Sequence, residues 1–528
     1  MSLRTLALRY FLPLGLLATA ASCAAASKPS TDNGGGVTGD TSPTTPAGDE
    51  ATGDDDDGSE KVKDGTKPKP TSPPLPSGVD PFAPQVDESA GLTNVSKNLD
   101  ALLERGALAS ACEKYRNGAK DRKTKLLCGK WMYFYESFGT AGAPAPIVKF
   151  LAKNFPDELG LGFSKLGMIP DPSSADHIPL GMAPTTPISN NVDALAYTCA
   201  SCHFGRLPDG RYAVGAPNHD YDYAGQILAI AIAPALGMGT GSASAHDPAA
   251  VAKVQPVLDK LKGDFALKAK FGAALLPLLS LQNPGISKDV EAQYASWPRG
   301  TLDFIIAPLP IDDGVEVVGK MIGLWNIPRD EEAKTAGMKN AMLAWTGAAK
   351  SLHEFLGGFA IVGGTEKPSD EDLEPLAEYI YSLRAPTNPS PPDAKLVADG
   401  AKLFESKGCI GCHDGPRGSG KRTYTFDEIG TDDTLAGWMD SDLDGEPCCG
   451  LESETDMLTH EVKSPRLVGM WALKRFLHNG SLSSLEQLFC LESRPAGKKP
   501  LSSSGHMYSC DGLDESEKRS LIAYLLAH

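Results

Sequence analysis

The chain has little basic charge for its length. Its 528 residues include 50 Lys and Arg against 67 Asp and Glu, which gives a formal net charge of −17. Nucleic-acid-binding surfaces need a basic stripe to neutralise phosphates, so this balance argues against a nucleic-acid partner. It favours a soluble protein whose acidic faces meet small molecules or basic proteins.

Long apolar runs are also scarce. One run, Phe11–Ala21, follows Arg4 and Arg9 and ends at Ser22-Cys23. It is too short to span a bilayer, and its charged start and small closing residues predict a secretory signal peptide over residues 1–22. The closing residues resemble a bacterial lipobox, which predicts export and a lipid anchor at Cys23 on the periplasmic or cell-surface side of a membrane. Simple cleavage, or a buried structural Cys23, remains the alternative.

Apolar side chains are nearly missing from residues 23–84. This stretch consists mainly of Gly, Ser, Thr, Pro and Asp, and it includes four consecutive Asp at 54–57. Such a composition cannot bury enough surface to offset the entropy of ordering the chain. We therefore predict a disordered tether.

Eleven cysteines are too few for a disulfide scaffold of this length, but four of them stand in two C-x-x-C-H motifs. These are Cys199, Cys202 and His203, and Cys409, Cys412 and His413. In this motif two thiols attack the haem vinyl groups from one turn of chain, and the adjacent His binds the iron. The two pairs are too far apart for a zinc ribbon, and a thioredoxin-type site needs no following His. The sequence predicts two covalently attached haem c groups, with His203 and His413 as metal ligands.

The residues around the second motif predict a helix. Leu396, Gly400 and Phe404 recur every four residues on one face, which ends near Ser406. A Gly at the centre of such a face allows another helix to cross closely.

Each motif is followed by a similar closing helix. Ser369-x-x-Asp372 and Asp514-x-x-Glu517 are capping patterns, and each precedes an apolar face that contains a Tyr. This predicts two units, an N-terminal haem c domain over residues 85–385 and a C-terminal cytochrome c domain over residues 386–528, which meet near a Pro-rich linker. The expected fold class is mainly α, with two cytochrome-c-like haem domains and long irregular loops.

Several stretches between residues 190 and 528 resemble a known family. Lys463–Leu467 and Leu477–Ser481, followed by Leu485, resemble the second domain of the bacterial di-haem cytochrome c peroxidase superfamily. Two further stretches and a linker are similar to its rubber-oxygenase-like branch: Trp297–Asp303, Leu324–Pro328 and Leu376–Pro392. These motifs are specific for the superfamily and not for one reaction.

The resemblance implies a distal ligand for the second haem. In the loop before the last helix the rubber-oxygenase-like branch has a His, which corresponds to His506, and Met507 is the alternative. His413 and His506 together would give a six-coordinate haem of low potential, suited to electron transfer. The resemblance also implies a structural or propionate-side role for His478.

The first haem is less determined. Peroxidases of the superfamily carry a displaceable distal His in a loop comparable to that of His219, whereas the following Asp220–Tyr223 resembles the oxygenase branch, where that position is open to oxygen. His219 is therefore a candidate metal ligand, and a solvated loop His is the alternative. Three other histidines are expected to be structural: His177, His246 and His353. Three aromatic side chains could line the distal pocket, bridge the haems or simply fill the core: Trp325, Trp345 and Phe359.

Six further cysteines permit three disulfides in an oxidising compartment. Cys112 and Cys128 flank one basic loop and form the natural local pair. The adjacent Cys448 and Cys449 are expected to pair separately with Cys490 and Cys510, which would fasten the loop that holds His506. A metal site is the lesser alternative, because no His stands beside these cysteines at ligand spacing.

These observations predict an exported di-haem cytochrome that passes electrons between its haems. The reaction expected at the His203 haem is peroxide reduction or oxygen activation, with a redox partner protein and with membrane contact only through the anchor. A non-catalytic electron carrier with two six-coordinate haems and a haem-based sensor are the alternatives. The catalytic residues and the substrate are not determined by the sequence.

Overall fold

The computed structural model describes Phe82, residues 88–89, 91–188, 191–278 and 286–303, Ile306, Pro308, and residues 317–435 and 461–528. All of these lie in one compact unit. The predicted signal peptide, Cys23, Cys448, Cys449 and all of the predicted tether except Phe82 lie outside the described residues. The proposed domain boundary at residues 385–386 stays a prediction.

Helices form most of the regular structure. In chain order, α1 to α16 are Leu99–Leu103, Arg105–Arg116, Arg122–Tyr135, Ala145–Asn154, Cys199–His203, Tyr223–Met238, Pro248–Gly263, Phe265–Leu275, Lys288–Ser296, Asp330–Thr335, Leu352–Val362, Asp370–Ser382, Ala394–Ser406, Phe426–Ile429, Leu485–Leu488 and Glu515–Leu526. Short 3-10 turns occur at Leu161–Leu166, Ala243–Ala245, Leu276–Leu278, Cys409–Gly411, Pro416–Gly418, Met470–Ala472 and Met507–Ser509.

Short strands form small antiparallel sheets between the helices. In chain order, β1 to β10 are Val95–Ser96, Ala143–Pro144, Met182–Ile188, Val192–Tyr197, Phe204–Arg206, Tyr212–Val214, Thr301–Asp303, Val318–Lys320, Thr423–Thr425 and Glu461–Lys463. They pair in the orders β1-β6-β5, β2-β4-β3, β7-β8 and β9-β10.

The described chain is therefore a mixed helix-and-strand fold, and the prediction of a mainly α fold is correct only for its helical part. The difference lies mainly around the first C-x-x-C-H motif, where β4 ends at Tyr197 and β5 begins at Phe204. Strands of two to seven residues are too short to show a clear alternation of apolar and polar residues. The apolar run in β4 could not be distinguished from a buried helical segment.

Two pairs of helices cross in the same way, with a Gly at the point of closest approach. We call this arrangement a glycine crossing. As predicted, the helix α13 ends at Ser406 and crosses another helix at Gly400, where an added Cβ would lie 2.1 Å from the Ser520 carbonyl oxygen of α16 and 2.7 Å from the Tyr524 Cβ. In α3, a Cβ on Gly129 would lie 1.9 Å from the Pro375 carbonyl oxygen of α12 and 2.6 Å from the Tyr379 Cβ. In each pair a Gly faces the backbone of the crossing helix and a Tyr four residues further along it.

The closing helices begin as their capping patterns predicted. Ser369 accepts a hydrogen bond from the Asp372 N–H at the start of α12. Asp514 and Glu517 form a reciprocal capping box at the start of α16. Satisfying these N–H groups fixes where each helix begins, and hence which face it turns to the partner helix.

One of the predicted disulfides is present and the others need correction. Cys112 and Cys128 are bonded and join α2 to α3, as predicted. Cys490 is bonded to Cys510, so their predicted separate pairing with Cys448 and Cys449 is wrong. Arg494 donates hydrogen bonds to backbone carbonyls on both sides of the intervening loop, including those of Leu488 and Gly505, and this folds the loop so that its two cysteines meet. The bond still fastens the loop that contains His506.

Candidate functional site

The first C-x-x-C-H motif forms the short helix α5 between two strands. Burial raises the pKa of the free Cys199 thiol to about 12 and that of Cys202 to about 11. The Nδ1 of His203 donates to the Ile322 carbonyl oxygen at 2.7 Å. The Tyr133 hydroxyl donates to the backbone carbonyl of His203 at 2.5 Å and ties this turn to α3.

The second motif begins in a 3-10 turn directly after α13. Cys409 and Cys412 are half-buried, and burial raises the pKa of the Cys412 thiol. His413 is only 9% exposed, and its Nδ1 donates to the Gly418 carbonyl oxygen at 2.5 Å.

The two motif histidines thus have the same hydrogen-bond arrangement. Because Nδ1 carries the proton in each, Nε2 keeps its lone pair, which is the state in which imidazole binds a metal. Burial lowers the pKa of His203 to about 4 and also lowers that of His413, so both rings are neutral at pH 7.

His506 lies across from His413. The ring centroids of the two side chains are 6.4 Å apart, with an angle of 64° between the ring planes. The Ser509 hydroxyl donates to the Leu488 carbonyl at 2.5 Å, so its oxygen accepts from the His506 Nδ1 at 3.2 Å. This leaves the Nε2 of His506 unprotonated as well.

A cavity of about 270 Å³ separates these side chains. Cys409, Cys412, His413 and His506 all line it, whereas Met507, the alternative ligand, does not. Much of the rest of its wall is apolar and includes Phe404, Leu467, Met470, Phe476, Leu488, Phe489, Leu521 and Leu525.

His478 and His219 line the same cavity. Burial lowers the pKa of His478 to about 4, and its ring contacts the edge of Phe426. The Nε2 of His219 donates to the Met321 carbonyl at 2.9 Å, and its Nδ1 accepts from the Lys474 backbone N–H at 2.9 Å. Both ring nitrogens of His219 are therefore engaged by backbone groups, and this arrangement gives no support to its predicted role as a metal ligand.

Three other histidines and the three aromatic residues singled out from the sequence were also located. His246 contacts Glu291 at 2.7 Å and His353 contacts Glu374 at 3.2 Å. His177 lies half-buried in a turn with a positive φ. Trp325 and Trp345 line the cavity beside the second motif, whereas Phe359, on α11, does not.

A bridging segment, residues 320–325, connects the two motifs. Its carbonyl at Ile322 accepts from His203, and its carbonyl at Met321 accepts from His219. Arg466, from the second half of the chain, donates to the carbonyls of Gly323 at 3.0 Å and Trp325 at 3.1 Å. One short stretch of backbone thus contacts the first motif histidine and also lines the cavity of the second.

Basic side chains in this cavity were not identified as site residues from the sequence. They are Lys320, Lys463, Arg466 and Arg475, together with Lys407, which pairs with Glu517. Lys463 and Arg466 fall within a stretch that carries the family resemblance, which was the available indication; Lys320 and Arg475 had none.

Within the described ranges, no group of three or more His, Cys, Asp or Glu is arranged to hold a metal ion. No helix of the described part of the chain combines the length and the apolarity that a membrane crossing requires.

Comparisons with known proteins identify no family. No protein-family model and no curated protein matches the chain. Among solved structures, a chain of hydrazine synthase from Kuenenia stuttgartiensis, pressurised with xenon, matches with 20% identity and a TM-score of 0.27, over 47% of this chain and 83% of that chain. A TM-score this low does not establish a shared fold.

Proposed function

We propose that the chain is a di-haem c-type cytochrome of the di-haem cytochrome c peroxidase superfamily, with cytochrome-c-like domains that pass electrons between two covalently bound haems. The observation that carries the proposal is the arrangement of the second motif. The two cysteines of the motif, Cys409 and Cys412, and two imidazoles, those of His413 and His506, line one largely apolar cavity.

The spacing of these imidazoles fits an iron between them. Two metal–nitrogen bonds of about 2 Å each, together with the depth of two rings, span about 6 Å between ring centroids. The measured separation of 6.4 Å agrees. In each ring Nδ1 donates to a fixed oxygen, so the protein holds both histidines in the tautomer that binds iron.

Each haem, when bound, supplies one-electron redox chemistry, and an open iron also supplies a site for a small oxidant. The residues of this chain favour different roles at the two sites. His413 and His506 would hold the second haem from its two sides, which suits electron storage and transfer. At the first site His203 offers its Nε2, and His219 is held by Met321 and Lys474 instead of completing a second ligand.

This asymmetry supports an enzyme in preference to a carrier with two closed haems. We propose that peroxide or oxygen reacts at the first site and that electrons arrive from the second. The bridging segment 320–325 lies between them, because its Ile322 carbonyl holds His203 while its side chains line the second cavity. Export and the anchor at Cys23 are part of the same proposal and rest on the N-terminal sequence.

Haem stoichiometry tests the proposal directly. The wild-type protein should contain two thioether-linked haems per chain, counted by pyridine haemochrome absorbance and intact mass. Cys409→Ala or Cys412→Ala should leave one fully thioether-linked haem, while Cys112→Ser with Cys128→Ser, which changes a disulfide pair, should leave two. Two unchanged haems in the Cys409 variant, or none in the wild type, contradict the proposal.

A further inference from the structure

The cavity beside the second motif contains an excess of positive charge. Lys320, Lys463, Arg466 and Arg475 line it, and no Asp or Glu is among the described residues of its lining. Lys407 lines it as well, and it pairs with Glu517 at 2.6 Å. The excess is unexpected in a chain with a net charge of −17.

Two of these cations are held at fixed positions by strand ends. Lys320 is the last residue of β8, and its N–H donates to the His478 carbonyl at 2.8 Å. Lys463 is the last residue of β10, and its N–H donates to the Trp345 carbonyl at 3.0 Å. With the backbone fixed in this way, each side chain enters the cavity from a defined point on its wall.

Lys320 and Lys463 are both half-buried where they line the cavity. Burial lowers the pKa of Lys320 to about 8 and that of Lys463 well below its usual range, and the nearby Arg466 lowers the latter further. Among the described residues no carboxylate raises either pKa. A cation that is partly removed from water is stabilised by a nearby anion, so this cluster of cations on one cavity wall is suited to a negatively charged ligand.

The guanidinium groups complete the wall. Arg466 uses Nε and one Nη to donate to the bridging segment, and Arg475 donates its Nε to the Arg299 carbonyl at 2.7 Å. An Arg carries five N–H donors in a planar fork, so both retain donors beyond these bonds. Fixed N–H donors next to ammonium groups are the usual environment for carboxylates.

We propose that Lys320, Lys463, Arg466 and Arg475 bind the two propionate carboxylates of the haem attached at Cys409 and Cys412. This inference rests on the proposed function. It orients that haem with its propionate edge toward the bridging segment and away from the Cys409 side of the cavity. It also makes the second site depend on the first half of the chain, because Lys320 belongs to β8.

Resonance Raman spectroscopy of the full-length loaded protein tests the assignment, because the propionate bending bands of a haem respond to hydrogen bonding at the carboxylates. Lys320→Met and Lys463→Met should each shift a propionate band of the second haem. Lys463→Arg, which keeps the charge, should shift it less. Lys395→Met, an exposed lysine paired with Asp399, is the matched control and should leave both bands unchanged.

A free anion is the other possible occupant of the wall. Adding oxalate or phosphate to the loaded wild type should leave its spectrum unchanged, because the propionates already fill the wall. A saturable response to either anion that disappears in Lys463→Met overturns the proposal, and so do unshifted bands in both Met variants that remain folded by circular dichroism. No haem in the wild type would overturn the proposed function and this inference with it; two haems with unshifted bands overturn the inference alone.

Discussion

The two C-x-x-C-H regions each have a glycine crossing between two helices, but they differ in what surrounds the motif histidine. In both, a Gly on one helix meets a backbone carbonyl and a Tyr on the other: Gly129 with Pro375 and Tyr379, and Gly400 with Ser520 and Tyr524. The first motif follows its Gly by 70 residues and lies between strands, whereas the second follows by nine and opens onto a cavity. The similar glycine crossings suggest two versions of one structural unit. The different surroundings of the two motifs are the basis for proposing different roles for them.

The difference extends to the second face of each site. His413 faces His506 across a cavity, whereas His219, the candidate second ligand of the first site, has both ring nitrogens hydrogen-bonded to backbone groups. The lesson is that the motif itself does not determine ligation. In the proposed haem sites, loops distant in sequence, such as the disulfide-closed loop of His506, would supply the second ligand or withhold it.

The largest expected effect on stability comes from disrupting the glycine crossings. Gly129→Ala and Gly400→Ala each place a methyl group within about 2 Å of a backbone oxygen, so the helices must separate, at a cost of about 3 kcal/mol in the free energy of unfolding. Gly106→Ala, on α2 with open space around it, is the control and should be neutral or slightly stabilising. Urea denaturation measures all three.

Equal losses of unfolding free energy in Gly129→Ala and Gly400→Ala would sharpen the comparison, because they would show that the two glycine crossings contribute similarly to stability. A stability unchanged from wild type in Gly400→Ala would contradict close packing of α13 on α16.

The next largest effect is a change of spin state, which distinguishes the two proposed haem sites by their axial ligands. His506→Gly should convert the second haem from low spin to high spin, because it removes one of two axial nitrogens, and the first haem should not change. His353→Gly, which removes a histidine paired with Glu374 elsewhere in the fold, should leave the spin states as they were. Electronic absorption and electron paramagnetic resonance (EPR) measure the change. An unchanged spectrum in His506→Gly would move the ligand to Met507 or His478.

The smallest expected spectroscopic effect distinguishes the two disulfides. Removing either bond, as Cys112→Ser with Cys128→Ser or as Cys490→Ser with Cys510→Ser, should cost about 3 kcal/mol, because the closed loops are of similar length, with sequence separations of 16 and 20. Only loss of the Cys490–Cys510 bond should add a partial high-spin signal, since it frees the loop of His506. Identical spectra for the two double variants would show that the bond does not hold His506 in place.

The sequence predicted the features that depend on local patterns. The capped starts of α12 and α16, the helix that ends at Ser406 and the Cys112–Cys128 bond all follow from residues close together in the chain. The short strands around Cys199 were missed because their patterns are too brief to distinguish from buried helix.

Long-range features were harder to predict. The glycine crossing at Gly129 was missed because that residue stands 70 positions before its motif. The role of Lys320 in the cavity was missed because only the fold brings this side chain there. The Cys490–Cys510 pairing depends on how Arg494 folds its loop, which no spacing rule contains. The placement of His506 opposite His413 is consistent with what the family resemblance implied.

The central claim, one closed and one open site, is tested most directly by low-temperature EPR of the oxidised protein before and after adding imidazole or peroxide. The account predicts one low-spin signal that does not respond and one high-spin signal that does, from the haem at His203. Two low-spin signals that never respond would contradict it, and the protein would then be an electron carrier with both haems closed.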